Sequence, residues 1–278
     1  MKTVGYYNGE VCEVDELRIP ALDRAVYFGD GIYDVAICEN RKAFTLDYHI
    51  DRFYNSAKAI DIRFSMPKDE FRSLLLSLID KCDSNDMMVY FQLSRGIGKR
   101  KHEYQDMEGA LLIMITPFTM GDMRKKMKLA TFEDKRFLYC DIKTINLIPS
   151  VLAAQHASVH GCNEALMHRG DMVTECAHSS LLLLKDGKVI APPLDEYILP
   201  GITRKVVEEI CAENDIPFVT RRFTVQEALD ADEIIVASTT KNISGTCEVD
   251  GKPVGGKDEK LLSRLQDLFQ ERLDRETK

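Results

Sequence analysis

Across 278 residues there is no Cys-x-x-Cys pair, no apolar run of membrane-spanning length and no surplus of positive charge. Each absence excludes a class of protein. Apolar runs such as 110–115 and 180–184 fall far short of the roughly 20 residues a spanning helix needs. The formal net charge of −8 argues against nucleic acid or an anionic membrane as the main partner. The eight cysteines are scattered, which reads as reduced thiols rather than a zinc site or a disulfide framework. His156 and His160 stand one turn apart, but no glutamate follows His156 as the zinc-protease pattern requires, so they read as structural and no metal is expected. The opening Met1-Lys2-Thr3-Val4-Gly5-Tyr6-Tyr7-Asn8 has no apolar core of signal-peptide length, and a cytoplasmic protein is expected. There is no internal repeat and no low-complexity tract.

What remains is an ordinary globular composition, 45% apolar and 29% charged, in a chain long enough for two domains around one cleft. Strands are expected at 4–8, 32–38, 88–93, 110–116, 128–133 and 233–237, with a hairpin partner at 42–45. A further hairpin is expected around the turn Arg169-Gly170-Asp171. Helices fit 47–60, 149–160, 202–214 and 261–273, and one opening near Pro67 turns Phe71, Leu74, Leu75 and Leu78 inward. This mixture of strands and helices predicts an α+β or mixed α/β protein. It divides into a smaller N-terminal α/β domain (1–117), a linker (118–126) and a larger C-terminal domain (127–278).

Several short motifs carry chemistry. Lys143 lies in Cys140-Asp141-Ile142-Lys143-Thr144-Ile145-Asn146, near Leu147 and Ile148. An apolar setting lowers a lysine's pKa and makes its amine a nucleophile, although a single lysine is more often a solvated side chain. Glu175 closes Val173-Thr174-Glu175 and suits a cofactor ring nitrogen, or a plain surface position. Gly201-Ile202-Thr203-Arg204 opens a helix, where free N–H groups attract phosphate; a simple threonine-capped junction is the alternative. Ser238-Thr239-Thr240 ends an apolar strand and offers hydroxyl donors. Arg52 can grip a phosphate through two parallel bonds, or sit on a solvated helix face. The loop Arg95-Gly96-Ile97-Gly98-Lys99-Arg100-Lys101-His102 matches neither a Walker loop nor a dinucleotide fingerprint, and reads as an anion clamp or a solvated basic loop.

Together these residues resemble the class IV aminotransferases, pyridoxal 5'-phosphate enzymes of fold type IV, and among them the bacterial D-amino acid aminotransferases. The likeness runs from about Tyr6 to Gly251 and includes Phe28-Gly29-Asp30-Gly31-Ile32-Tyr33, His49-Ile50-Asp51-Arg52 and the segment from Arg136 to Lys143. The resemblance implies Lys143 as the Schiff-base lysine and proton shuttle, and Glu175 as the partner of the pyridine nitrogen. Arg52, Ile202, Thr203, Ser238 and Thr239 are the implied phosphate contacts, and Leu199 packs against the ring. Tyr33 with the pair Arg100 and His102 would trap the substrate carboxylate, the pair arriving from the second subunit of a homodimer with a shared active site. The implied substrates are amino acids and 2-oxo acids, with the D-hand favoured by the Arg-x-His pair. A branched-chain L-amino acid aminotransferase, an aminodeoxychorismate lyase and a catalytically weak cofactor binder are the alternatives. One departure stands out. Where the D-specific enzymes run Gly-Ser-Ser-Ser-Asn after the glutamate, this chain has Cys176-Ala177-His178-Ser179-Ser180.

Overall fold

The computed structural model describes residues 1–278, which divide into two compact units. The first holds Met1–Thr119 with Ile142–Asn146 and Asp274–Lys278; the second holds Met120–Asp141 and Leu147–Leu273. In chain order the first stretch carries β1 (Val4–Tyr7), β2 (Glu10–Cys12), α1 (Arg24–Phe28), β3 (Gly31–Glu39), β4 (Lys42–Ala43), α2 (Leu46–Ala59), α3 (Lys68–Ile79), β5 (Met87–Ser94) and β6 (Ala110–Pro117). There follow β7 (Met127–Glu133), α4 (Ile148–Val159), β8 (Glu164–Arg169), β9 (Met172–Cys176), β10 (Ser180–Lys185), β11 (Lys188–Ala191) and α5 (Ile202–Glu213). The chain closes with β12 (Phe218–Thr220), α6 (Val225–Leu229), β13 (Glu233–Ser238), β14 (Asn242–Val249), β15 (Lys252–Pro253) and α7 (Glu259–Thr277). The mixed α and β architecture expected from the sequence is the one observed.

In the first unit six strands form an antiparallel sheet in the order β2-β1-β6-β5-β3-β4. Helices α2 and α3 bury their apolar faces with it, and an aromatic cluster fills the core. Phe53 of α2 stacks on Phe71 of α3 at 5.2 Å, and both meet Phe91 of β5 edge-on at 5.0 and 5.5 Å. Such offset and edge-to-face pairs satisfy the ring quadrupoles as well as burying area. Pro67 precedes α3 in an extended conformation instead of opening its first turn, and Leu74 is only half-buried while Phe71, Leu75 and Leu78 face inward.

The second unit is built on a mixed nine-stranded sheet, β12-β11-β10-β13-β14-β7-β8-β9, with β15 beside β14. Three neighbouring pairs are parallel, β11 with β12, β14 with β7, and β7 with β8. Register sets Ser180, the first residue of β10, opposite Ala237 near the end of β13. The β10–β11 hairpin, missing from the expected elements, turns through Asp186 and Gly187 with φ of 51° and 71°. Two consecutive left-handed residues make the turn that matches strand twist, and glycine adopts that region without penalty.

Candidate active site

In the first unit the site residues grow from the alternation of β3. Successive strand residues face opposite sides. Asp34 therefore meets α2, and Tyr33 turns to the other face, where it stacks on Tyr90 at 5.5 Å. His49 and Arg52, three apart on α2, share one helix face. Arg52 is not the solvated charge its position allowed: it is 8% exposed and clamps Asp34 with two bonds of 2.7 Å, from Nε and Nη2. His49 Nδ1 lies 2.8 Å from the same carboxylate. Burial alone would raise the Asp34 carboxyl, but Arg52 and His49 outweigh it and hold the group well below the usual carboxylate range. Burial lowers His49 more than Asp34 raises it, so its neutral form is favoured. The fork of Arg52 is thus oriented by a buried anion that the sequence motif did not reveal.

Lys143 belongs to this unit because Ile142–Asn146 returns to the edge of β3. Thr144 bridges Ile32, the Tyr33 N–H donates to the Lys143 carbonyl at 2.9 Å, and the Lys143 N–H donates to Ser56 Oγ at 3.3 Å. The half-buried lysine places Nζ 4.5 Å from the Tyr33 ring centre. Of the apolar neighbours expected around it, Ile142 packs on the core, whereas Leu147 and Ile148 are exposed. The aromatic face of Tyr33, more than those aliphatic residues, forms its surroundings. Arg100 and His102 are exposed and gather on Phe28, at 5.0 and 5.1 Å from its ring, while Tyr33 keeps Tyr90 and Lys143 as neighbours.

The second unit presents a buried charge network around Glu175, which is 5% exposed and so not a surface glutamate. Arg136 Nη1 donates to Glu175 Oε1, while its Nε and Nη2 donate to the two oxygens of Asp134 at 2.9 and 2.8 Å. The Tyr197 carbonyl takes a further Nη2 bond at 2.9 Å, and Thr174 Oγ1 donates to Asp134 at 3.0 Å. Burial works against ionisation of both partners, yet their pairing prevails. Asp134 is lowered to about 2, and Arg136 is raised above its ordinary value by Asp134 and Glu175. Arg136 was visible only as part of a matching segment. Its role as the clamp on Glu175 needed the fold.

A group of donors suited to an anion lies at the first turn of α5. Gly201 is the N-cap residue, and no side chain caps the helix, so the threonine-capped alternative does not hold. A Cβ on Gly201 would come within 2.5 Å of Ser180 Oγ, so this backbone is drawn close to the start of β10. Ser180 neighbours the end of β13, and there Ser238 Oγ is buried without a hydrogen-bond partner. Arg204, 3% exposed on the same helical turn, has Nε and Nη1 equally unpartnered. Buried donors without acceptors are costly, so their concentration at a helix N-terminus fits a phosphate group. Ile202 and Thr203 are buried on that turn, Thr239 follows Ser238, and Leu199 is half-buried just before Gly201.

Known proteins resemble the chain in sequence and in fold. The profile of the family described as amino-transferase class IV matches residues 31–249. A D-alanine aminotransferase of Staphylococcus haemolyticus is 36% identical over 269 residues, covering 95% of each chain. One from Listeria monocytogenes is 35% identical over 275 residues, covering 96% of this chain and 95% of its own. Among solved structures, the branched-chain aminotransferase of Thermoproteus uzoniensis with norvaline superposes with a TM-score of 0.88 at 20% identity, over 97% of this chain and 95% of its own. The branched-chain amino acid aminotransferase of Escherichia coli gives 0.88 at 20% identity, over 96% and 94%. A further branched-chain aminotransferase, complexed with N-(5'-phosphopyridoxyl)-L-glutamate, gives 0.87 at 22% identity, over 96% and 93%. At those identities the structural likeness speaks for the fold.

Proposed function

Because the chain belongs to the class IV aminotransferases, we propose that it moves the amino group of a D-amino acid, such as D-alanine or D-glutamate, to a 2-oxo acid with pyridoxal 5'-phosphate as cofactor. The observation that carries this reading is the identity to D-alanine aminotransferases over nearly the whole of both chains. The unpartnered donors at α5 and the end of β13 support the cofactor, since they fit its phosphate.

When bound, the cofactor supplies an electron sink for the carbon that loses its proton. The remaining work falls to this chain. Lys143 Nζ anchors the cofactor and then carries the proton taken from the substrate's α-carbon. Glu175, with Oε1 fixed by Arg136, keeps a proton on the ring nitrogen. Ile202, Thr203, Ser238, Thr239 and Arg52 hold the phosphate, Arg52 with its fork set by Asp34. Leu199 supports the ring. Tyr33 receives the substrate carboxylate together with Arg100 and His102, which come from a second copy of the chain.

The homodimer is supported by exposed apolar side chains in the second unit. Phe137, Leu138 and Tyr139 are exposed, and so is the stripe Ile148, Val151, Leu152 and Val159 on α4, with Ile148 at 75% and Tyr139 at 70%. Patches of this kind mark association surfaces. A cytoplasmic location is supported by the eight unpaired cysteines. No helix is long and apolar enough to cross a membrane.

Purified protein loaded with pyridoxal phosphate and given D-alanine with 2-oxoglutarate should form pyruvate and D-glutamate. Turnover of L-leucine without D-alanine turnover would establish the branched-chain reading instead, and pyruvate release from aminodeoxychorismate would establish the lyase.

A further inference from the structure

Arg100 and His102, assigned above to the substrate carboxylate, lie in residues 95–109, which join β5 to β6 with no helix or strand of their own. Three cations follow one another there, Lys99, Arg100 and Lys101, and all three are exposed. Like charges side by side repel, and fixing an irregular segment costs backbone entropy. The start of the segment is strapped to α1 and the residues before it. The Arg24 N–H donates to the Gly96 carbonyl at 3.0 Å, the Gly98 N–H to the Leu22 carbonyl at 3.0 Å, and Tyr27 Oη to the Gly98 carbonyl at 2.6 Å. These bonds end at Gly98, short of Arg100 and His102.

The Arg24 side chain covers the rest. It is 4% exposed, and its Nε donates to Asp30 Oδ2 at 2.7 Å, which fixes the plane of the fork. Nη1 donates to the Lys101 carbonyl at 2.7 Å, and Nη2 donates to the His102 carbonyl at 3.4 Å. The same guanidinium lies 4.8 Å from the centre of the Phe28 ring, on which Arg100 and His102 also gather. Electrostatics alone would not set a further cation beside three others. Nor does Asp30 depend on it, because Arg95 Nε donates to the same carboxylate at 2.9 and 3.1 Å. Arg95 spends its other nitrogens on the Asp61 and Ile60 carbonyls, at 2.9 and 2.8 Å. What Arg24 alone supplies is the pair of bonds to the Lys101 and His102 backbone.

We infer that Arg24 is a positioning residue for substrate binding: its fork, oriented by Asp30, sets the backbone at Lys101 and His102 so that Arg100 and His102 meet the substrate carboxylate as a ready-made clamp. This rests on the transaminase reading above, which gives those two side chains their role. A clamp already in place avoids an ordering cost at each binding event, so losing Arg24 weakens binding and leaves the chemical step alone. Hydrogen bonds from a charged group are strong enough that losing the fork should shift binding about tenfold.

The test uses the holoenzyme and Arg24→Met, which removes the fork while Asp30 keeps Arg95. With D-alanine and 2-oxoglutarate, KM for both should rise about tenfold while kcat stays within about twofold of wild type. Amide hydrogen exchange over 99–103 should quicken, exchange in β3 and β5 should not, and the cofactor's absorbance should show unaltered pyridoxal phosphate affinity. Arg24→Lys keeps the charge beside Asp30 but not the fork, and should show the same rise in KM; it carries all these readouts if Arg24→Met fails to fold. A wild-type KM in Arg24→Lys, or faster exchange throughout the protein with loss of cofactor, would overturn the positioning role. Propionate, an unreactive carboxylate, separates the two readings. A holoenzyme that transaminates nothing yet binds propionate about tenfold more weakly after Arg24→Met, in NMR titration, would uphold the positioning and sink the transaminase reading. Equal propionate binding by wild type and variant would overturn the positioning whatever the turnover.

Discussion

At the scale of single residues, Arg52 and Glu175, the proposed phosphate and ring-nitrogen contacts, are each held by an oppositely charged partner, Asp34 and Arg136. Asp34 is the clearest case, because it carries both His49 and Arg52. Asp34→Asn removes the anion from a buried pair and should cost about 3–5 kcal/mol in urea unfolding at neutral pH. The sign with pH follows from the depressed carboxyl of the folded state. The contribution of Asp34 is complete above the ordinary aspartate range and lost as pH falls, so the gap between wild type and variant should close below about pH 4. Lys143→Ala should abolish turnover, and retained activity would refute its assigned role. Glu175→Gln keeps the side chain's shape and its bond to Arg136 but cannot hold the ring proton as an anion. It should lower kcat by about a hundredfold or more while pyridoxal phosphate still binds, read from the cofactor's absorbance.

At the scale of elements, the apolar pattern placed β3, α2, β5, β6, β7 and α5 to within a residue or two, because each carries a run or a repeat of buried apolar positions. The misses were short. β2, β15 and the β10–β11 hairpin lie beside two-residue turns, Asn8-Gly9, Asp250-Gly251 and Asp186-Gly187, all left-handed. Those dipeptides are hairpin signals and were available in the sequence. Helix α6 was missed for a related reason: at five residues it has no visible period, yet Thr224 and Glu227 form a reciprocal capping box, with bonds of 3.0 and 2.9 Å. Thr224→Ala should destabilise the protein by about 1 kcal/mol, measured by chemical denaturation, without altering cofactor affinity.

At the scale of the whole molecule, the exposed apolar stripe on α4 is the feature an isolated chain leaves unexplained. Val151→Glu places a charge in that stripe. It should convert a species of twice the chain mass into one of the chain mass in light scattering at micromolar concentration. Activity should fall with the dimer if Arg100 and His102 serve the second copy.

The amino-acid sequence by itself determined the mixed α/β class, most of the long elements and the residues suited to a pyridoxal phosphate enzyme. These are local patterns, written in hydrophobic repeats and in motifs whose members lie a few positions apart. Tertiary structure alone decided which partners orient those residues. Asp34 on Arg52, Arg136 on Glu175, and the return of Ile142–Asn146 to the edge of β3 each join positions distant in sequence. No periodicity encodes such pairings. They follow from strand register and burial, where a charge removed from water must find its opposite.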